Sequence, residues 1–183
     1  MTENHKIAVF GGGCFWCTEV IFTTLKGVID VKPGYMGGST ENPTYKDVCT
    51  GETGHAEVIQ IVYDEKQISF SELLLVFFKT HDPTTLNRQG NDIGTQYRSV
   101  VFYYDEDQKQ QAEEMIAQLT KEEVFDSPIV TEISPATKFY VAENYHHNYY
   151  ANNRSQPYCL AVIQPKVLKF AEKFKDKIKP ELL

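Results

Sequence analysis

The segment KIAVFGGGCFWCTEVIFTTLK, residues 6–26, decides the fold that this sequence predicts. Residues 6–10 are rich in β-forming side chains and run into three glycines, a pattern that indicates a short strand followed by a turn. Apolar side chains then recur at helical spacing, at Cys17, Val20, Ile21 and Leu25. This spacing is typical of an amphipathic helix, here over residues 14–26. The segment therefore predicts strand, glycine turn and helix, with Cys14 in the first helical turn.

The elements that follow indicate an α+β fold. Further strands are predicted over residues 28–36, 56–63 and 97–104. Ser69 and Glu72 form a capping box ahead of an apolar run, which predicts a buried helix over residues 73–78. The resulting order, βαββαβ, is that of the ferredoxin-like or split βαβ arrangement.

A C-terminal extension of coil and helix completes the predicted fold. A polar helix near residues 106–119 and a strand near residues 129–133 precede it. Apolar residues in the extension repeat at helical spacing, at Val167, Phe170, Ala171, Phe174 and Ile178. They indicate an amphipathic helix that packs on the body rather than a membrane or RNA patch. Because no repeat or long linker divides the chain, we expect a single domain over residues 1–183.

Composition narrows the class of protein. Lys and Arg total 18 against 25 Asp and Glu, a net charge of −7 that argues against a nucleic acid as partner. The N-terminus lacks the pattern of a secretory signal, and no apolar run is long enough to predict a membrane span. We therefore expect a soluble, cytoplasmic protein with no membrane partner. In a reducing compartment its four cysteines are more often catalytic, metal-binding or buried than paired in disulfides.

Cys14 is placed for reactivity. A cysteine in the first turn of a helix faces unpaired N–H groups and the positive end of the helix dipole, and both favour the thiolate. Phe15 and Trp16 put two large rings beside the sulfur, at a helix mouth where burial would not require them, and they form an apolar wall suited to a methyl group. The dinucleotide fingerprint would need glycine in place of Trp16, so the glycine turn is not a nucleotide site. On this motif alone, an inert cysteine remains an alternative.

Several motifs in a fixed order carry a resemblance to a known family. They are GCFWCTE (13–19), GYMGG (34–38), NPTY (42–45), TGHAEV (53–58), GNDIGTQYRS (90–99) and AENYHHNY (142–149). The chain resembles the A class of the peptide methionine sulfoxide reductases from Ala8 to about Ile163. The resemblance implies a peptide-methionine (S)-S-oxide reductase that acts on protein-bound and free methionine sulfoxide. It also implies thioredoxin as the reductant, because no flavin or nicotinamide site is apparent and no cofactor or metal is expected. We expect a monomer.

The resemblance also implies roles for individual residues. Cys14 attacks the sulfoxide sulfur while Glu57 protonates the oxygen, because oxide is a very poor leaving group. Desolvation at the start of an apolar strand would keep Glu57 protonated. Tyr45 and Tyr97 match two phenols that hold the sulfoxide oxygen. The expected substrate contacts are Phe15, Trp16, Asp92, His146 and Tyr149. Without the resemblance, a solvated strand-end glutamate and ordinary packing or turn residues explain the same positions.

The cysteine that resolves the Cys14 sulfenic acid is harder to choose. Cys49 is interpreted as a buried or semi-buried residue, because nothing near it favours a thiolate. Cys17 lies one helical turn from Cys14 but shares a stripe with core residues. Cys159 lies in a segment without strong periodicity, which is typical of a mobile segment, and the Tyr-Cys pair matches the family's recycling position. We predict a Cys14–Cys159 disulfide, with Cys17 as the alternative or as a relay.

Two other classes of protein stay open. Cys14 and Cys17 form a C-x-x-C motif at a helix start, which is also typical of thiol–disulfide oxidoreductases. A zinc module would combine these two cysteines with His146 and His147 or with Cys49. Adjacent histidines seldom both reach one ion, so the zinc alternative is the weaker one.

Overall fold

Helices and strands alternate along most of the chain in the computed structural model, which describes residues 4–179. The helices are α1 (Phe15–Thr23), α2 (Tyr45–Cys49), α3 (Phe70–Thr80), α4 (Glu106–Lys121), α5 (Tyr149–Asn152) and α6 (Gln164–Lys173). The strands are β1 (His5–Gly11), β2 (Val28–Met36), β3 (Ala56–Asp64), β4 (Arg88–Gln89), β5 (Asp92–Ile93), β6 (Val100–Tyr103), β7 (Glu132–Pro135) and β8 (Tyr140–Val141). Short 3-10 helices span Thr95–Tyr97, Asn144–His146 and Lys175–Lys177, and a π-helical segment spans Cys159–Ile163.

Six strands form one mixed sheet in the order β7-β6-β1-β3-β2-β8. β1 pairs antiparallel with both β3 and β6, and β2 pairs antiparallel with β3. β7 joins β6 in parallel. β1 and β2 therefore run parallel to each other with β3 between them. The prediction that helices and a sheet combine in one fold is confirmed.

Both faces of the sheet are buried. Ala8 and Phe10 of β1 pack into one hydrophobic layer and Val9 into the other, as the two-residue period of a strand requires. The first layer contains α1 and α3. There the ring of Phe10 lies 4.8 Å from that of Phe77 and 5.8 Å from that of Phe22, centroid to centroid. Burying each such ring contributes about 1.5–3 kcal/mol. This packing fixes the position of α1 and hence of the cysteine at its start.

Some element boundaries differ from the predicted ones. The strand expected over residues 97–104 is only Val100–Tyr103, because Gly94 (φ 146°) leads into the 3-10 helix that ends at Tyr97. The strand expected near residues 129–133 lies further along the chain, at Glu132–Pro135. The hairpin of β4 and β5 was not predicted, since two-residue strands leave no periodic pattern.

The predicted helices are present with adjusted ends. The capping box of Ser69 and Glu72 starts α3, which continues to Thr80. The polar helix is α4, and the amphipathic tail is α6, where Phe170 is buried. Within residues 4–179, no helix has both the length and the apolar character that crossing a membrane requires.

Candidate active site

The glycine turn delivers Cys14 to the start of α1. Cys14 occupies the N-cap position with an extended backbone (φ −64°, ψ 127°), and Gly13 before it has φ 89°, which favours glycine. A Cβ at Gly12 would lie 2.9 Å from Phe77 and 3.1 Å from His81, so the backbone needs glycine to pass this close to α3. Strand, turn and helix thus place the thiol as the sequence predicts.

Glu57 of β3 lies beside the start of α1, almost fully buried at 1% exposure. Its Oε1 accepts a hydrogen bond from the backbone N–H of Phe15 at 3.1 Å. Its Oε2 has no partner among residues 4–179. Burial raises the pKa of Glu57 to about 8, although the Phe15 N–H acts in the opposite direction. The carboxyl is therefore neutral near pH 7, with Oε1 as the accepting oxygen and Oε2 free to carry the proton.

Burial changes the expectation for the Cys14 thiol. Cys14 is only 7% exposed, and burial raises the pKa of its thiol well above the ordinary value. The hydrogen bond to the Cys17 side chain and the charge of Glu57 raise this pKa further. The backbone N–H of Trp16 lowers this pKa, as the helix-start argument requires, but it does not offset desolvation. The prediction that Cys14 favours the thiolate is wrong, because burial raises the pKa of its thiol. The hydrogen bond from Cys14 instead lowers the pKa of Cys17.

The two aromatic residues after Cys14 have different environments. Phe15 is fully buried and packs 5.7 Å from the ring of Tyr35, so the expectation that it stands at an exposed helix mouth is wrong. Trp16 is partly exposed and stacks on Tyr149, with 3.7 Å between centroids and 7° between planes. Its Nε1–H donates to Nδ1 of His146 at 3.0 Å. Trp16 therefore holds both C-terminal residues that the sequence singled out.

His146 is a neutral, buried donor. Burial lowers its pKa, and because Nδ1 accepts from Trp16 the ring proton lies on Nε2. That Nε2 is buried without a partner among residues 4–179. The His146 ring lies 4.4 Å from that of Tyr45 and 5.1 Å from that of Phe15, centroid to centroid. The site thus contains a second unpaired polar group besides the Glu57 carboxyl.

Tyr45 and Tyr97 belong to the same electrostatic environment. Burial raises the pKa of each phenol, and the charges of Glu57 and Cys14 contribute to both increases. Both side chains therefore remain neutral O–H donors near the acid and the thiol. Tyr45 begins α2, and Tyr97 ends the 3-10 helix before β6. The two phenols expected from the sequence are brought to one place from distant parts of the chain.

The Asp92 side chain is hydrogen-bonded to the C-terminal segment. Its Oδ2 accepts a hydrogen bond from the hydroxyl of Tyr158 at 2.6 Å, and the ring of Tyr158 meets that of Trp16 edge to face at 5.7 Å. Tyr158 was not singled out as a site residue, although it precedes a candidate cysteine. Asp92 thus binds the C-terminal segment to the hairpin of β4 and β5.

Three cysteines share one cluster. Cys14, Cys17 and Cys159 are buried together with Tyr150 and Ile163. The prediction that Cys159 lies in a mobile coil is wrong: it is fully buried and begins the π-helical segment that leads into α6. Cys49 is also different from its interpretation, because it is exposed at the end of α2. The charge of Cys17 contributes to the raised pKa of Cys159, so Cys17 interacts with both of the other thiols.

Two acidic residues were missed by sequence reasoning although each lies in a quoted motif. Glu143 accepts the Tyr35 hydroxyl at Oε1 and the backbone N–H of Tyr45 at Oε2, both at 2.9 Å. Glu19 of α1 accepts the N–H of Asn148 at 3.0 Å, which fixes the backbone before Tyr149. Their position within motifs was the available signal, but their role as backbone acceptors depends on contacts between distant segments.

The rival interpretations find less support in this geometry. Among the residues described, no three His, Cys, Asp or Glu side chains lie where they could hold a metal ion together. A buried neutral carboxyl and two phenols beside the thiols have no use in simple disulfide exchange. They suit a thiol reaction in which an oxygen atom is protonated.

Comparison with known proteins defines the class. The model of the family described as "Peptide methionine sulfoxide reductase" matches residues 6–178. The chain belongs to this family. A curated relative from Saccharolobus solfataricus, "Peptide methionine sulfoxide reductase MsrA", is 56% identical over 174 residues, which cover 95% of this chain and 97% of the relative.

Solved structures agree with the fold. The reduced form of Mxr1 from Saccharomyces cerevisiae superposes with a TM-score of 0.81 at 35% identity, over 87% of this chain and 91% of that one. A complex of Mxr1 with Trx2 also matches, with a TM-score of 0.58 at 26% identity, over 81% of this chain and 87% of that one. The fold and the motifs thus lead to the same family.

Proposed function

We propose that this chain reduces the S epimer of methionine sulfoxide, with Cys14 as nucleophile and Glu57 as general acid. Family membership supports the reaction class and its stereochemistry. The observation that carries the residue assignment is the Glu57 carboxyl: buried, neutral near pH 7, and unpaired at Oε2 among residues 4–179. An acid in this state can protonate the sulfoxide oxygen, whereas burial raises the pKa values of the two phenols and makes them weaker proton sources.

The first chemical step transfers the oxygen atom from the substrate sulfur to the sulfur of Cys14. Cys14 Sγ forms a bond to the sulfoxide sulfur while Glu57 donates its proton to the oxygen, and the proton of the Cys14 thiol restores the acid. The substrate S–O bond then breaks as the hydroxyl oxygen transfers to Cys14 Sγ, and the transient S–S bond breaks, so that methionine leaves with its sulfur reduced. Cys14 is left as a sulfenic acid, the oxidised product of the step. Tyr45 and Tyr97, both neutral donors, stabilise the oxygen as its charge grows. Trp16 provides the apolar wall for the methyl group, and the other proposed substrate contacts are Phe15, Asp92, His146 and Tyr149.

The second step removes the oxygen as water. The sequence predicts a Cys14–Cys159 disulfide with Cys17 as alternative or relay, and the contacts support the relay. Cys17 interacts with Cys14, and its lowered pKa favours the thiolate that attacks the sulfenic sulfur. Cys159, which is buried in the same cluster, then exchanges into the bond and releases one thiol. A thioredoxin dithiol reduces the final disulfide and becomes a disulfide itself; the neighbour Mxr1 is known in complex with Trx2.

The fold description is refined in the same way. We propose one domain whose core is a ferredoxin-like split βαβ sheet, because β1 and β2 run parallel around β3 and β6 lies beyond β1. Action on free as well as protein-bound sulfoxide, a monomeric state and a cytoplasmic location remain predictions from the sequence.

Single-turnover chemistry tests the assignment. Cys14→Ser should yield no methionine from protein mixed with one equivalent of sulfoxide. Glu57→Gln should slow the step by about a hundredfold or more while leaving the fold intact. Unchanged single-turnover rates in Glu57→Gln would remove Glu57 from the mechanism, and methionine formed by Cys14→Ser would exclude the nucleophile.

Time-resolved peptide mapping tests the relay. A Cys14–Cys17 disulfide should form first in the wild-type protein and should then decline as bonds to Cys159 accumulate. Cys159→Ser should stop at the Cys14–Cys17 bond. Cys49→Ser is the matched control, since its exposed thiol lies outside the cluster and its loss should change neither bond. Direct formation of Cys14–Cys159 in Cys17→Ser at the wild-type rate contradicts the relay.

A further inference from the structure

A groove separate from the sulfoxide site lies along α6. It has a volume of about 590 Å³ and lies between α6, the end of α3, and the loops that follow α3 and α4. Its floor is partly apolar, formed by Phe125, Phe170 and Phe174. None of its lining residues is an expected contact of the substrate. A volume of this size is sufficient for a bound side-chain cluster or short segment.

The rim of the groove is basic in an acidic protein. Lysine side chains line it at Lys79, Lys166, Lys169 and Lys173. None of these four makes an ion pair with any residue in the range 4–179. Burial lowers the pKa of Lys173, and the charges of Lys79 and Lys169 lower it further. Two aspartates also line the groove: Asp82, whose carboxylate accepts the N–H of Thr84 at 2.9 Å, and Asp126. Four lysines against two aspartates leave the lining of the groove with a net charge of +2, in a protein whose net charge is −7.

The groove adjoins the thiols that must be reduced. α6 follows directly on the π-helical segment that begins at Cys159. Lys166, in the first turns of α6, lies near enough for its charge to lower the pKa of Cys17. Glu57 and the two phenols do not line the groove. A partner seated in the groove would therefore approach the cysteine cluster without covering the sulfoxide site.

We propose that this groove docks the protein reductant, and that it recognises an acidic patch with an apolar residue on the thioredoxin surface. The inference rests on the proposed function, because only the recycling step requires a second protein next to Cys17 and Cys159. Charge complementarity between a lysine-rimmed groove and an acidic partner increases the association rate and fixes orientation. Its continuity with α6 places the reductant where the disulfide is exposed once the C-terminal segment opens.

Paired charge reversal tests the docking surface. Lys169→Glu with Lys173→Glu changes two exposed lysines outside the catalytic centre. With an acidic thioredoxin, kcat/KM for thioredoxin should fall by roughly tenfold or more, mainly through KM. Turnover supported by dithiothreitol should be unchanged. Wild-type kcat/KM for thioredoxin should also decrease as ionic strength rises from about 0.05 to about 0.5 M, and the variant should lose most of this dependence.

The matched control is Lys66→Glu with Lys121→Glu, which makes the same change of net charge at exposed lysines away from the groove. Direct titration of an inactive, cysteine-free thioredoxin reports binding without chemistry. Weaker binding by the groove variant alone supports the proposal. Equal loss in both variants, or unchanged binding in the groove variant, overturns it.

A loss confined to KM for acidic sulfoxide peptides overturns it too, since the groove would then dock substrate. Failure of the wild-type protein to reduce sulfoxide with dithiothreitol contradicts only the proposed function.

Discussion

Glu57 shows how one buried group connects stability to chemistry. The Phe15 N–H at its Oε1 favours the carboxylate, yet desolvation dominates and raises the pKa to about 8. Keeping a carboxyl neutral at pH 7 therefore depends on how well the surrounding strand and helix exclude water. The same burial that prepares an acid for catalysis makes its ionisation costly for the fold.

A stability measurement follows from this pKa. Between its ordinary value of 4.5 and about 8, native Glu57 holds a proton that the unfolded chain has released. The contribution of Glu57 to the free energy of unfolding is thus fully present below pH 4.5 and is lost as pH rises towards 8. Glu57→Gln, always neutral, should avoid this loss. Its free energy of unfolding relative to wild type should grow by about 1.4 kcal/mol per pH unit in this window.

Urea unfolding at several pH values provides the test. The difference between the two proteins should level off above about pH 8, because native Glu57 ionises there as well. Glu52→Gln is a suitable control, since Glu52 is exposed. A pH-independent difference between wild type and Glu57→Gln would show that the carboxyl is already charged at neutrality.

At the scale of single residues, the sequence predicts the groups that react better than the residues that hold those groups in place. Cys14 and Glu57 are proposed as nucleophile and acid because their motifs match the family, and a thiol and an acid are the groups that sulfoxide reduction needs. Glu143 and Glu19 were not found, since each acts by accepting backbone N–H groups from segments 98 or more residues away along the chain. Cys14's raised pKa was missed for a related reason. A helix start is visible in sequence, but the desolvation that outweighs it depends on the three-dimensional packing.

Glu143 connects two secondary-structure elements and does not contact the reacting thiol. It links Tyr35 of β2 to the first N–H of α2, so it positions Tyr45 without touching the thiol. Burial alone would raise the pKa of Glu143, but its hydrogen bonds make the net shift downward, and it stays an acceptor. Glu143→Gln replaces one acceptor oxygen with a donor. We expect kcat to fall by roughly tenfold as Tyr45 shifts, at a stability cost of about 1–3 kcal/mol.

Comparison with Tyr45→Phe separates positioning from chemistry. If Glu143 acts through Tyr45, adding Glu143→Gln to Tyr45→Phe should reduce kcat little further, because the hydroxyl is already absent. Fully additive losses in this double-mutant cycle would show that Glu143 acts independently of Tyr45.

Caps account for why the helices were easier to predict than the later strands. Ser69 accepts the N–H of Glu72 at 3.1 Å, a local contact that sequence reveals directly. Gly94, by contrast, turns the chain before β6, and the periodicity of the sequence does not predict this conformation. Ser69→Ala should lower the free energy of unfolding by about 1 kcal/mol. Chemical denaturation measures it, with the exposed Ser155→Ala expected within about 0.5 kcal/mol of wild type.

On the scale of the whole molecule, distant segments enclose the thiols. The N-terminal helix contributes Cys14 and Cys17, the hairpin contributes Asp92, and the C-terminal segment contributes Tyr158 and Cys159. The sheet order β7-β6-β1-β3-β2-β8 brings these segments together, and of this arrangement the prediction that helices and a sheet combine in one fold is confirmed. How the C-terminal segment closes did not follow, because residues around Cys159 lack periodicity and are ordered by contacts with α1 and the hairpin.

The bond between Tyr158 and Asp92 should control access to Cys159. Burial raises the pKa of Tyr158, so its hydroxyl remains a donor to Asp92 at 2.6 Å. A hydrogen bond to a charged group contributes about 1.5–3 kcal/mol. Tyr158→Phe should therefore increase opening of the segment, and alkylation of Cys159 in the reduced protein should accelerate by roughly tenfold or more. Mass spectrometry after brief iodoacetamide treatment measures the rate at each cysteine. Cys49, already exposed, is the internal control and should react equally fast in both proteins. If Cys159 of the wild-type protein reacts as fast as Cys49, the segment is open in solution and the Tyr158–Asp92 bond does not hold it closed.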